Sequence, residues 1–332
     1  MATIQKRGPY QYQVIVRRVG YPSQTATFET RAEAEGWASV VESEMIRGIF
    51  VDRREAETTT LGQALTRYGK EISPSKKSAA NELLMIARLQ KHPLALRGLA
   101  SLRNVDFARY RDERLAEVGA NTVRLELALF SHLFNCAKTE WSIPVQNPIE
   151  GIRKPKLPEG RDRRLVGDEE DRLIAAAKLC VSGNRGLVVA IRLAIETGMR
   201  AGEIASLKWH QVDFDAEIIR LGVTKNGCKR VVPLTKAAEE ILWSLPEPAS
   251  LNERVNSFHD TRGLSKAFRL ACKKANISGL CFHDLRHEAA SRLAPKMEAP
   301  TLAKVMGWKT LQMSMRYYNP THAELVAAVR AH

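Results

Sequence analysis

The order of apolar and polar positions divides the chain into three stretches. Near the amino terminus, Tyr10 to Val19 and Gln24 to Phe28 are rich in aromatic and β-branched residues, which predicts two strands joined by the turn Gly20-Tyr-Pro-Ser23. Thr30-x-x-Glu33 then forms a capping-box signature for a helix with Ala34, Trp37, Val41 and Met45 on one face. Asp52 to Thr59 is polar and aperiodic and reads as a linker. From Thr60 to about Gln146 the spacing is helical. Leu61, Leu65 and Tyr68 mark one helix, Leu83, Leu84 and Ile86 to Leu89 a second, and Val105 to Val118 a third. Thr122 to Lys138 is a fourth, with Leu125, Leu129 and Leu133 on one face.

A second linker follows from Asn147 to Arg164, where prolines and glycines interrupt both periods. Beyond it the pattern is mainly helical. Leu187 to Glu196 is an apolar helix stopped at Gly198, and another opens near Arg200. Glu217 to Leu221 and Lys229 to Leu234 read as strands around Lys225-Asn226-Gly227, an Asn-Gly hairpin signal. Helices return at Leu264 to Ala275, Leu285 to Ala294 and Pro300 to Met306. Thr321 to Val329 reads as a short capped amphipathic helix with Leu325, Val326 and Val329 on one side. No internal repeat is visible.

The length of 332 residues suits two or three domains, and 44% hydrophobic with 27% charged residues fits globular cores. No run of about 18 apolar residues occurs, so no membrane span is expected. The first residues lack the apolar stretch of a secretory signal. The five cysteines are scattered without a CxxC pair, which points to a reducing cytoplasm rather than a disulfide framework.

Charge changes the picture more. Lys and Arg number 51 against 37 Asp and Glu, a net charge of +14. Such an excess favours a polyanion, nucleic acid first and an acidic membrane surface second, over a merely basic enzyme. Lys6, Arg7, Arg17 and Arg18 precede any acidic residue in the amino-terminal stretch, while the helix behind it carries Glu33, Glu35, Glu42 and Glu44. A positive sheet with a negative back suits a DNA groove, or is a packing domain with incidental charges. Lys76, Lys77 and Arg124 are among the cations of the helical stretch, expected to meet DNA backbone or to form a solvated face. Arg153 and Lys154 lie in the second linker, where cations suit a tether crossing phosphates.

No HExxH, phosphate-cradling glycine loop or zinc-spaced histidine set occurs, so neither cofactor nor metal is expected. Phosphoryl chemistry without metal needs a nucleophile, cations for the developing charge and a proton donor. Thr197-Gly-Met-Arg200-Ala-Gly-Glu203 places a guanidinium one turn from a carboxylate, an arrangement also common in surface ion pairs. His283-Asp-Leu-Arg286-His287 puts His283 and Arg286 on one helical face. Gly307-Trp308 carries an indole donor, or a core tryptophan. Tyr317 and Tyr318 offer adjacent phenols, or an aromatic pair in a core beside Met313 and Met315.

Taken together and in order, TGxRxxE, a hairpin lysine, HxxR and Gly-Trp nine residues before a tyrosine resemble the tyrosine recombinase/phage integrase family. The resemblance covers about Arg163 to Asn319 and extends to the helical stretch, where Asn121 to Phe134 is similar to integrases and shufflon recombinases. It implies a mainly α fold with small β-sheets. The implied layout is an N-terminal ββ(β)α arm-binding-like domain over residues 1–57 and a helical SAM-like core-binding domain over 58–155. A mixed α/β catalytic domain over 156–320 and a tail helix over 321–332 complete it. Arg200 and Arg286 would clamp the scissile phosphate, with Glu203 supporting the first. Lys225 would protonate the leaving 5′ oxygen, and His283 would assist proton transfer. Trp308, where most members have histidine, would donate and pack. Tyr317 matches the nucleophile, with Tyr318 one step late.

The implied function is site-specific recombination through a 3′-phosphotyrosyl intermediate, integrating and excising a phage or mobile element. The implied partners are double-stranded recombination sites and a homotetramer docked through the tail. The resemblance also admits a host DNA-bending protein and a directionality factor. A shufflon-type invertase, a type IB topoisomerase sharing the chemistry and a non-cleaving DNA-binding regulator are the alternatives.

Overall fold

A computed structural model describes residues 2–179, 185–222, 230–318 and 329–330. The chain divides into two compact units, Met1–Glu159 and Gly160–His332.

The first unit opens with an antiparallel sheet in the order β1 (Ala2–Gly8), β2 (Gln11–Val16) and β3 (Gln24–Phe28). Val14 of β2 pairs with Ile4 on one side and Ala26 on the other. Sequence pattern did not reveal β1, because an edge strand with one face in water can carry Gln5, Lys6 and Arg7 and still pair. The expected capping box starts α1 (Arg31–Ile46): the Glu33 N–H donates to Thr30 Oγ1 at 3.3 Å, and the Thr30 N–H to Glu33 Oε2 at 3.2 Å. Val14 and Val16 meet Ala34, Ala38, Val41 and Met45 in a small core, and Trp37 packs on Phe28.

The expected linker at Asp52 to Thr59 is instead partly helical. It contains α2 (Arg54–Thr58), whose Ala56 is fully buried in the following helical core. Gly98 lies so close that a β-carbon there would sit 2.4 Å from the Glu57 carbonyl oxygen. One buried alanine among charged neighbours leaves no periodic trace in a sequence. The core itself comes from α3 (Leu61–Glu71), α4 (Ala79–Leu89), α5 (Asn104–Glu117) and α6 (Ala120–Thr139). On α6 the deepest residues include Val123, Leu127, Phe130 and Phe134, with Leu129 and Leu133 beside them; Leu125, expected inside, faces outward. Leu83 and Leu84 are likewise exposed, whereas Ile86 and Leu89 are buried.

Glu126 on α6 is a wholly buried carboxylate. Arg88 reaches it at 2.7 Å, Arg114 at 3.0 Å and the Tyr110 hydroxyl at 2.7 Å. Burial alone would raise its pKa, but the hydrogen bonds and charge of Arg114, with the Tyr110 hydroxyl, outweigh burial and hold the group below its ordinary value. After α6 the proline-rich stretch is fastened rather than free. Ile149 and Ile152 are buried, Arg111 donates to the Arg153 carbonyl at 3.0 Å, and Arg124 donates to that of Pro155 at 3.4 Å.

In the second unit α7 (Glu169–Leu179), α8 (Arg185–Thr197) and α9 (Ala201–Ser206) lead to a three-stranded antiparallel sheet. Its strands are β4 (Val212–Asp213), β5 (Ile218–Leu221) and β6 (Arg230–Pro233). The helices α10 (Lys236–Trp243), α11 (Thr261–Lys274), α12 (Asp284–Leu293), α13 (Ala299–Met306) and α14 (Gln312–Met315) follow. From Leu187 to Ile195, α8 buries apolar residues on nearly every side, as a central helix must. Its neighbours include α7, α10 and α12. Ahead of α7, the entry segment is stapled down: Arg161 pairs with the buried Asp284 at 2.7 Å, and Arg316 donates to the Arg161 carbonyl at 3.2 Å. The hairpin tip with Lys225 and the tail from Thr321 to Ala328 lie outside the described residues. Among the described residues no helix is long and apolar enough to cross a membrane.

Removing the Glu126 carboxylate takes their buried anion from Arg88 and Arg114 and leaves Arg114 only its exposed partner Glu117, so Glu126→Ala should cost about 3 kcal/mol in urea unfolding of the full chain. Because the folded-state pKa of Glu126 is lowered, its contribution is present above the ordinary glutamate range and is lost as pH falls through the folded value. The gap between wild type and variant should therefore narrow on acidification.

Candidate active site

Two helix ends set the arginines. Gly198 follows α8 with φ +60°, and a β-carbon there would strike the Met306 sulfur at 2.7 Å. Arg200 comes next, at the start of α9. Its backbone N–H donates to Glu203 Oε2 and its Nη1 to Glu203 Oε1, both at 2.8 Å. Its Nη2 donates to the Gly307 carbonyl at 3.3 Å. Gly307 is a left-handed cap on α13, with φ +63°.

Glu203 also holds a second guanidinium that sequence reasoning missed. Arg230, on β6 and 6% exposed, donates from Nη1 to Glu203 Oε2 at 2.9 Å. Its Nε and Nη2 reach the Val305 carbonyl at 3.1 and 2.8 Å. A signal existed: Arg230 shares the inward face of its strand with Val232, while Val231 points out.

Arg286 on α12 is 4% exposed and donates to the carbonyls of Gly198 and Met306. Burial first, then Arg230 and Arg200, push its pKa down to about 9. It remains charged at neutral pH. Just ahead of α12, His283 keeps an exposed edge and lines a cavity of about 1030 Å³ with Arg200, Glu203, Ser206, Thr261 and Arg269. Loss of solvation on its inner side, then Arg286 and Arg200, lower its pKa.

The Trp308 ring connects the cations to the phenol. The Arg286 guanidinium lies 5.6 Å from its centroid, and the Tyr317 ring stacks on it at 5.5 Å with 6° between planes. The Tyr317 hydroxyl pairs with Nδ1 of His287, one residue beyond Arg286. The His287 ring in turn meets that of His283 edge-on at 5.6 Å. Burial raises the Tyr317 pKa, against lowering by Arg316, Arg286 and Arg164. Tyr318 is turned elsewhere: its hydroxyl donates to the Met297 carbonyl at 2.5 Å. His287 was not singled out from sequence, although it stands four residues, about one helical turn, beyond His283 at the N-cap of α12.

Arg200, Glu203, His283, Arg286, Trp308 and Tyr317 are thus brought together, while Lys225 lies outside the described residues. The basic residues singled out for DNA contact all sit in the first unit. Arg17 and Arg18 are exposed at the end of β2 and Lys77 is exposed before α4. Lys76 is turned onto Glu82, at 2.7 Å, and the Tyr68 hydroxyl, at 2.6 Å. Arg124, Arg153 and Lys154 gather where the proline-rich stretch lies on α6, Arg153 and Lys154 exposed. Among the described residues no group of three or more His, Cys, Asp or Glu is placed to hold a metal ion.

Residues 163–324 match the model of the phage integrase family. A shufflon-specific DNA recombinase of Escherichia coli is 39% identical over 283 residues, which span 82% of this chain and 72% of that protein. The chain belongs to the phage integrase family. As a member it is a site-specific tyrosine recombinase, an enzyme of DNA recombination. Tyrosine recombinase XerC of Chlamydia muridarum is similar at 29% identity over 226 residues, 64% of this chain and 70% of the relative. A crystallised lambda integrase dimer, bound to a COC′ core site, shares the mainly helical fold with its small sheets. It has a TM-score of 0.68 and 21% identity, covering 95% of this chain and 94% of that one.

In this recombinase Glu203 ties Arg200 to Arg230, so the three should behave as one unit. Glu203→Ala and Arg230→Ala should each slow DNA cleavage at least about tenfold. The double variant should be little worse than either single, a coupling readable by a double-mutant cycle on cleavage rates.

Proposed function

We propose that Tyr317 is the nucleophile that cleaves DNA and that the protein integrates and excises a phage or other mobile element. Tyr317 Oη attacks the scissile phosphorus, the bond from phosphorus to the 5′ oxygen breaks, and a 3′-phosphotyrosyl link with a free 5′ hydroxyl results. Arg200 and Arg286 hold the non-bridging oxygens, where charge builds in the transition state. Glu203 keeps Arg200 in place. Lys225, assigned from its Thr224-Lys-Asn-Gly context, delivers the proton to the 5′ oxygen. His283 assists proton movement, and Trp308 is donor and plate. Rejoining reverses these steps on another strand, and because the link retains the ester no external energy source enters.

The observation that carries this assignment is the contact of Trp308 with both the Arg286 guanidinium and the Tyr317 ring, which gathers cation and phenol at one place. Tyr318, with its hydroxyl on the Met297 carbonyl, serves structure.

Around this centre the work divides by segment. Residues 1–57 bind arm-type DNA through Arg17 and Arg18. Residues 58–155 grip core DNA through Lys77, Arg124, Arg153 and Lys154, with Lys76 nearest its ion pair. Residues 156–320 carry the chemistry, and residues 321–332 dock on a neighbouring subunit of a tetramer assembled on two duplexes. A host bending protein and a directionality factor fit such an assembly. The 39% identity to a shufflon-specific recombinase favours inversion as the second reading. Two circles carrying one site each, set beside a plasmid carrying both sites in inverted orientation, separate the two readings, since an invertase flips the plasmid segment without joining the circles.

A nicked suicide duplex carrying the cognate site tests the chemistry, scored as a covalent complex on a denaturing gel. Tyr317→Phe should abolish the complex and Tyr318→Phe should retain it; the opposite pattern moves the nucleophile by one residue. Arg200→Ala should lower the cleavage rate by about 10²–10³.

A further inference from the structure

We infer that His287 is a further catalytic residue, the group that takes the proton of the Tyr317 phenol when it attacks and returns it when the strand is rejoined. The inference rests on Tyr317 being the nucleophile. Among the described contacts, the imidazole on the phenolic oxygen is that of His287, through Nδ1. His283 lies one ring further back, its centroid 5.6 Å from that of His287. The Trp308 ring stacks on that of Tyr317 and fixes its plane, so the hydroxyl is delivered to Nδ1 in a set direction.

The proton balance is simple. With its proton on Nε2, neutral His287 accepts at Nδ1. As Oη bonds to phosphorus, the O–H bond breaks and an N–H bond forms, while the 5′ oxygen leaves and is protonated from the other side. On rejoining, the 5′ hydroxyl displaces Tyr317 and the imidazolium gives the proton back to the departing phenolate, as microscopic reversibility requires.

The surroundings suit a proton held briefly. Asp284 and Arg286 on α12 and His283 at its N-cap flank His287, Arg316 and Tyr317 face it from the tyrosine-bearing segment, and Asp162 and Arg164 line the same cavity of about 330 Å³. Burial first, then His283 and Arg316, set the imidazole below its ordinary value, with Asp284 opposing. It is therefore neutral at pH 7, able to accept, and as an imidazolium among cations is quick to give the proton back. Cleavage through this group is lost as pH falls through its pKa, where the acceptor is already protonated.

His287→Asn keeps an oxygen acceptor near Nδ1 but cannot take the proton. On the suicide duplex, with DNA binding checked by gel shift, the full-length variant should cleave about 10²-fold or more slowly. The acid limb assigned to His287 should disappear and the rate should instead climb toward the phenol's own range. A duplex with a 5′-bridging sulfur, whose leaving group needs no proton, should not rescue it. Cleavage at the wild-type rate, an unchanged acid limb, or rescue by the sulfur substrate would each overturn the inference. If the variant fails to fold, the His287 titration followed by NMR in wild type and in Tyr317→Phe decides. Losing the phenol should raise its pKa, and no change refutes the pairing. A covalent complex persisting in Tyr317→Phe would remove the nucleophile assignment itself, a separate failure.

Discussion

Glu203 holds two guanidinium groups with a single carboxylate, and a third, Arg286, is buried close by with backbone carbonyls as its partners. Carbonyl oxygens solvate a cation but do not neutralise it, so positive charge is left over in a poorly hydrated place. That surplus is the constraint from which the rest of the unit follows. Burial first, and then this surplus, drive Arg286 toward deprotonation although it stays charged. The surplus also explains why left-handed glycines cap α8 and α13, where their turns aim carbonyls at the arginines and a side chain at Gly198 or Gly307 would collide with the site. An anion with several oxygens completes such a centre, and a phosphodiester is one.

The first unit handles buried charge in the opposite sense. Glu126 meets Arg88, Arg114 and the Tyr110 hydroxyl, so its charge is answered within the fold. The Lys76 ammonium is likewise answered by Glu82 and Tyr68. Polar groups of these kinds look alike in a sequence. What separates an internally balanced cluster from one that calls for a ligand is the ratio of charges at the point where they meet.

That ratio was only half legible from residue order. Arg200, Glu203, His283 and Arg286 stand in short motifs whose helical spacing places them on shared faces, and Trp308 and Tyr317 follow at a fixed interval. Arg230 and His287 were overlooked for different reasons. Arg230 is an arginine in a β-branched strand, and alternation shows its face but not the carboxylate beneath it. His287 sat inside the motif, in the shadow of Arg286, and its partner lies thirty positions away across the fold. Much of the secondary structure was readable because apolar spacing is strong in α6 and α8. The edge strand β1, α2 with its single buried alanine, and the outward turn of Leu125 were not, since each depends on what packs against it rather than on its own periodicity.

The stapled entry segment has a mechanical meaning. Arg161 grips Asp284 at the head of the helix that bears Arg286 and His287, and its own carbonyl receives Arg316, the residue immediately before Tyr317. The segment after Gly160 is therefore tied to both halves of the centre through Arg161, and Arg164 on Glu288 holds it to the same helix a second time. A strand of chain that many folds would leave slack is here a rein held at two points.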